Sequence, residues 1–348
     1  MKLRATIFHF AVALAVTKAS AAPALPAAVP ERLQLVWPTP NPAWAEGKPP
    51  SQWLQHAGSG ETESGGFGGV RSGGTHFHEG IDIRALARDR RGDPLDSVFA
   101  AMAGVVRHVS AAASYSSYGR YIVIEHTAQS PAVYTLYAHL AKIAPGLRAG
   151  DAVTAGQTIG TMGHSSGGYM IPADRSHLHF EIGVAVTRNF QAWYERRRFG
   201  SRNSHDMWNG MNLLGLDPLA FFNEWRAGRV AGTQDFFARM EPAVRLRIAT
   251  IRTPDFVTRY PALLTKPVSL GVVAGWDITF NWTGIPFSWT PLSAMEVAGI
   301  PLDQPRILEV NAPLLKRERS KSLAVSRGSS WSTGKDLDIV LQQLFGVR

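Results

Sequence analysis

The chain has 348 residues, 45% of them hydrophobic, with 33 Gly, 22 Pro, no Cys and a formal net charge of +9. That length suits one large domain or two ordinary ones, and the Gly and Pro content favours a loop-rich β protein over a helical bundle. The absence of cysteine excludes a disulfide scaffold and a lipid anchor on an N-terminal cysteine, and it restricts any zinc ligands to His, Asp or Glu.

Lys2 and Arg4, the apolar run Ile7–Val16 and the small-residue triplet Ala19-Ser20-Ala21 read as a signal peptide over residues 1–21. The apolar run is shorter than the about 20 residues that span a bilayer. An exported protein, periplasmic or extracellular, with no membrane span in the mature chain is therefore expected. Three of the nine net charges lie in residues 1–21 (Lys2, Arg4 and Lys18, with no acid), leaving +6. That excess favours anionic partners such as cell-wall polymers. No nucleic-acid-binding motif is present.

Residues 22–60 are rich in Pro and Ala and carry Trp37, Trp44 and Trp53. They read as an extended lead-in whose tryptophans dock on a folded domain, and which could cross a binding groove and inhibit it. A Gly-rich stretch follows over 58–74. Residues 61–190 then read as one β domain of many short strands. Val98–Val109 is one candidate, with Gly104 as a turn or bulge; Arg120–Glu125, Ala132–Leu140, two short strands within 147–163, and His177–Val184 are the others. Beyond 190 the pattern changes to a C-terminal accessory region, 191–348. It holds a basic run at Glu195–Arg202, a helix over Asp217–Arg226 opened by Asp-Pro, β-like alternation at Trp276, Ile278, Phe280 and Trp282, and a helix over Asp336–Phe345.

Two short motifs carry the chemistry. In His177-Leu178-His179-Phe180-Glu181 the residues alternate between two faces of a strand. His177, His179 and Glu181 share one face; Leu178, Phe180 and Ile182 share the core face. In His78-Glu79-Gly80-Ile81-Asp82 the same parity puts His78 and Asp82 together, with Gly80 leaving room between them. His78, Asp82 and one histidine of the second motif make three N/O ligands, the number that leaves a catalytic zinc one open position. His76 repeats the His-x-His spacing and is an alternative to His78, but the Gly80 and Asp82 offsets favour His78. Glu181 could hydrogen-bond a ligand imidazole or simply be solvated. His126 reads as a structural or pocket-lining residue. His164, in a Gly-Ser loop, is expected to be exposed.

These motifs resemble those of the lysostaphin-type (LytM-like) zinc peptidases. The likeness covers residues 64–184. Ser64–Arg71 resembles the family's Ser-Gly-Phe-Gly-x-Arg entry with extra glycines. His78–Ile83, Val98–Val106, Tyr118-Gly119, Ile122–His126, Tyr137-Ala138-His139-Leu140 and Gly156–Gly160 fit in order and spacing. The resemblance implies that His78, Asp82 and His179 bind one Zn2+, and that His177 and His139 are the catalytic histidines. It implies a mainly β fold, an antiparallel sandwich-like core with a groove, beside an α+β C-terminal region. It also implies a zinc endopeptidase acting on stem or cross-bridge peptides of peptidoglycan. A non-catalytic wall-binding or hydrolase-activating module, and a zinc protease of another exported substrate, are the alternatives. Relatives of the non-catalytic kind usually lose zinc ligands, and this sequence keeps all three. Two insertions, 86–96 and 165–176, are expected to border the groove.

Overall fold

A computed structural model describes residues 32–268 and 273–347. The signal-peptide reading and the first part of the lead-in lie outside those residues. The described part is mostly antiparallel β-sheet with short helices.

The strands of the first part are β1 (Gly68–Arg71), β2 (His76–His78), β3 (Ile81–Arg84), β4 (Ser97–Phe99), β5 (Gly104–Ser110), β6 (Tyr121–His126), β7 (Val133–Ala138), β8 (Lys142–Ile143), β9 (Ala152–Val153), β10 (Thr158–Thr161) and β11 (His177–Ala185). After α1 (Phe190–Arg197), β12 (Leu213–Leu216) completes the main sheet, of order β12-β11-β7-β6-β5-β9, with β3 also paired to β11. Both β3 and β12 lie along β11, β3 on Phe180 and its predecessors and β12 on Ile182 and its successors. Strands β4, β10 and β8 form a small second sheet, and β1 pairs β2.

The alternation expected of β11 holds. Leu178, Phe180 and Ile182 are fully buried in the main core with Ile81, Ile83, Ile122 and Ile124. The polar face is buried too: His177, His179 and Glu181 are all enclosed. A second apolar cluster explains this. Tyr121, Val123, Tyr134, Leu136, Trp208 and Leu213 cover the rest of that face, so the sheet is packed on both sides. Val98–Val109 is two strands rather than one. Residues 100–103 break away between β4 and β5, and β5 carries a further register shift between Val106 and His108.

The later part contains α2 (Pro218–Arg226), α3 (Thr233–Phe237), β13 (Val244–Ala249), α4 (Asp255–Arg259), β14 (Gly275–Phe280), β15 (Pro286–Leu292), β16 (Pro305–Val310), α5 (Ala312–Arg317), β17 (Ala324–Arg327), β18 (Ser330–Thr333) and α6 (Lys335–Phe345). Strands β15-β14-β13-β16 form a four-stranded sheet and β17-β18 a hairpin. Asp217 caps α2, its carboxylate accepting from the amides of Leu219 and Ala220. Trp282 falls outside the alternation of β14. It sits in the turn after the strand and packs on Phe67 and Phe77 at 5.8 Å.

The lead-in docks as its tryptophans suggest. Trp37 stacks on Trp44 at 4.7 Å, and Phe222 of α2 meets both edge-on. Residues 53–55 run beside β3: the Gln55 amide donates to Asp82 O and the Arg84 amide to Trp53 O, both at 2.8 Å. The segment therefore covers the edge of the strand that carries Asp82. None of the described residues of 32–60 enters the His–Asp–His cluster; His56, Ala57 and Gly58 line a wall beside it.

Candidate metal centre and active site

His78 ends β2, Asp82 lies in β3 and His179 in β11, where it stands directly across from Asp82. The turn between β2 and β3 is tight because Gly80 lies against β11. A Cβ on Gly80 would come within 2.2 Å of Phe180 O. Glycine at this position is what lets the first motif fold down onto the second.

The three side chains converge on one point. His78 Nε2 and His179 Nδ1 are 3.0 Å apart, His179 Nδ1 and Asp82 Oδ1 3.0 Å, and His78 Nε2 and Asp82 Oδ1 3.2 Å. Three corners of a tetrahedron around an ion with bonds of about 2.0 Å are separated by about 3.3 Å. The residues fit a zinc ion in both geometry and donor type.

The far nitrogen of each histidine fixes what faces the centre. His78 Nδ1–H donates to Gly66 O at 2.6 Å, and His179 Nε2–H donates to Glu181 Oε1 at 2.9 Å. The inward nitrogens are therefore lone pairs, aimed at each other and at a carboxylate. Three acceptors this close need positive charge between them. Burial works against charge on His179, but its bonds to Asp82 and Glu181 prevail and push its pKa up to about 9. Burial likewise opposes ionisation of Asp82, yet the surrounding His78, His177 and His179 hold it well below the usual carboxylate range. A proton can serve this centre, and a divalent cation serves it better because it contacts all three acceptors at once.

Glu181 is fully buried and also accepts from Tyr118 Oη at 2.6 Å and Tyr134 Oη at 2.8 Å. Its carboxylate orients His179 from outside the ligand set, an arrangement typical of metal-bound histidines. Arg71 donates to Asp82 Oδ2 at 2.6 Å and steers Oδ1 to the centre. Arg71 and Tyr118 lie in the sequence motifs and Tyr134 in the candidate strand Ala132–Leu140, but nothing in their spacing marks them as partners of Asp82 or Glu181. Those contacts join elements distant in the chain.

His139 and His177 stand beside this cluster with ring centroids 4.9 Å apart. His139 Nδ1–H donates to Ser165 O and His177 Nδ1–H to Arg175 O, both at 2.8 Å. Each ring therefore keeps an unprotonated Nε2; that of His177 lies 3.5 Å from Asp82 Oδ1. Burial lowers the pKa of both rings, helped at His139 by His177 and His179 and partly offset at His177 by Asp82. His139 itself has φ +61°, a strained backbone held at a functional position. Gly119 permits its anchor: with φ +64°, a Cβ there would meet Ser165 O at 2.2 Å.

The other histidines lie apart. His76 is exposed and lines the cleft but is no part of the cluster. His126 is buried, its ring bonded to Ala103 O and Thr135 Oγ1. His164 is not freely exposed; Ile171 O and Asp93 hold it at 3.0 and 3.1 Å. The cluster opens into a cleft of about 500 Å³. Tyr169, Met170, Ile171 and Arg175 of the 165–176 insertion form one wall. The 86–96 insertion contributes none of the cleft lining. Instead Arg88 reaches the carbonyls of Ala173 and Ser176, bracing that wall from behind.

Residues 76–190 match the model of Peptidase family M23. This segment is an M23 peptidase domain. The M23 segment bears all five of the residues above. Among solved structures, a LytM from Ruminococcus gnavus is 31% identical over 31% of this chain and 39% of its own, with a TM-score of 0.26. A zinc-containing peptidase from Vibrio cholerae is 27% identical over 37% of this chain and 35% of its own, TM-score 0.26. The lysostaphin catalytic domain from Staphylococcus simulans is 22% identical over 45% of this chain and 89% of its own, TM-score 0.28. The chain thus spans less than half the length of the first two. None of the curated proteins matches it.

Proposed function

We propose that the chain is an exported zinc endopeptidase that hydrolyses peptide bonds in the stem or cross-bridge peptides of peptidoglycan. The observation that carries this reading is the convergence of three acceptor atoms at 3.0–3.2 Å beside two neutral imidazoles in an open cleft. His78, Asp82 and His179 would hold the metal. When bound, zinc supplies a Lewis acid that makes hydroxide available near neutral pH.

The remaining work falls to the side chains. His177 and His139 each present an Nε2 lone pair whose ring is fixed by a backbone carbonyl, so neither must reorganise to take a proton. One accepts the proton of the attacking water at Nε2, and that same proton, given up directly or by way of the neighbouring ring, goes to the leaving amine, so both rings end neutral. Burial keeps both rings neutral at rest, and only a ring that has taken up a proton at Nε2 can donate a hydrogen bond to the developing oxyanion. The family membership of residues 76–190 supports peptidase chemistry. The charge of +6 expected for residues 22–348 suits an anionic wall.

The test is digestion of purified peptidoglycan by residues 22–348, with and without a zinc chelator and beside His179→Ala, with fragments read by mass spectrometry. New termini at a stem or bridge peptide bond, abolished by both treatments, are the expected result. Intact wall incubated with zinc-loaded protein refutes the proposed substrate.

A further inference from the structure

A second groove, of about 690 Å³, adjoins the metal cleft and shares Glu79, Ser117 and Tyr118 with it. Its far side is made by residues outside the M23 segment. Trp193, Arg197 and Phe199 come from α1 and the turn after it, Arg202 from the loop beyond, and Lys321 from the C-terminal part. The basic run at 195–202, unexplained by the peptidase chemistry, lies along this groove.

We propose that this groove is a subsite for the carboxylate-bearing part of a peptide substrate, and that the C-terminal region serves the enzyme by completing it. The inference rests on the peptidase reading above and extends it to a substrate feature. Charge carries it. Among the described residues, Arg197, Arg202 and Lys321 have no ion-pair partner, although acids elsewhere pair readily. Two of these cations are held against aromatic rings: Lys321 Nζ lies 4.1 Å from the Phe77 centroid, and the Arg197 guanidinium 5.7 Å from that of Trp193. Ring contact directs each cation while leaving its hydrogen-bond donors free for a ligand. Glu79 and Asp336 also line the groove, but the Asp336 carboxylate already accepts from the Ser322 amide at 2.6 Å. Arg197, Arg202 and Lys321 against Glu79 and Asp336 leave the groove with an excess of one positive charge above an aromatic floor, which suits an extended peptide bearing free carboxylates. Glu79, Ser117 and Tyr118 line both spaces, so a chain lying in this groove continues into the metal cleft.

The experiment uses the full chain, metal-free so that nothing is cut, and isothermal titration with one synthetic stem tetrapeptide in two forms, carboxyls free and carboxyls amidated. The free-acid form is expected to bind at least about tenfold more tightly, the difference made by one or two charge-assisted hydrogen bonds. The variant Arg197→Gln/Arg202→Gln/Lys321→Gln should bring that ratio close to one and leave the amidated peptide's affinity unchanged. Equal binding of the two forms by the wild-type protein, absence of binding, or an unchanged ratio in the variant overturns the proposal. So does displacement of the peptide by a peptide-free glycan strand. Wall digestion is scored separately: an undigested wall with the charge preference intact removes the proposed substrate and spares the groove. Arg197 and Arg202 are exposed and Lys321 is half-buried, and thermal melting of the variant checks that it remains folded.

Discussion

Glu181 accepts hydrogen bonds from His179, Tyr118 and Tyr134 without any exposure to water. Glu181→Gln keeps the shape and removes the charge. Zinc affinity, measured by competition with a chromophoric chelator, should fall about 10- to 100-fold while the fold persists. Alanine at His139 or His177 should leave bound zinc near one equivalent, since neither is in the ligand set. It should lower kcat by about two to four orders of magnitude, as removal of an acid–base group does. Loss of zinc in either variant would move that residue into the ligand set. His126 makes a prediction about stability rather than catalysis. Burial, partly opposed by its bond to Ala103 O, lowers its pKa to about 4, against about 6.5 in an unfolded chain. Between those values the unfolded state holds more protons, so stability is full above pH 6.5 and falls as the pH drops towards 4. The total loss is about 3 kcal/mol. Denaturant titrations of His126→Gln across this range should lack that component of the slope.

At the scale of elements, the site depends on how closely the β2–β3 turn lies on β11. Gly80→Ala puts a Cβ against Phe180 O and must lift the turn from the strand. About 1–3 kcal/mol of stability should be lost, with reduced zinc content, as read by melting and metal analysis. The face of β11 that carries the histidines was legible in the sequence because strand parity needs only a local pattern. So were α2, announced by Asp217-Pro218, and α6. What local pattern could not supply was anything decided by distant packing. The face bearing His179 reads as polar, yet Trp208 and Leu213 close it. The 86–96 insertion reads as a cleft border but serves as a brace. The alternation through Trp276, Ile278 and Phe280 invites Trp282 into the strand, where a turn carries it onto Phe77 instead.

For the molecule as a whole, the sequence reads as a peptidase domain at 61–190 between a docked lead-in and a C-terminal region, and both flanks supply part of the core. Phe222 of α2 packs on Phe180 at 6.2 Å and on Trp37 and Trp44 from the lead-in. A chain cut to residues 61–190 should therefore lack a cooperative thermal transition by near-ultraviolet circular dichroism, whereas residues 32–348 should keep one. No helix among the described residues is long and apolar enough to cross a membrane. The join between lead-in and α2 also sets an order of events during synthesis. The ribosome delivers Trp37 and Trp44 first, but their partner Phe222 follows almost two hundred residues later. Until then the lead-in lacks that partner. The ligands of the centre are all made early, and their scaffold is finished late.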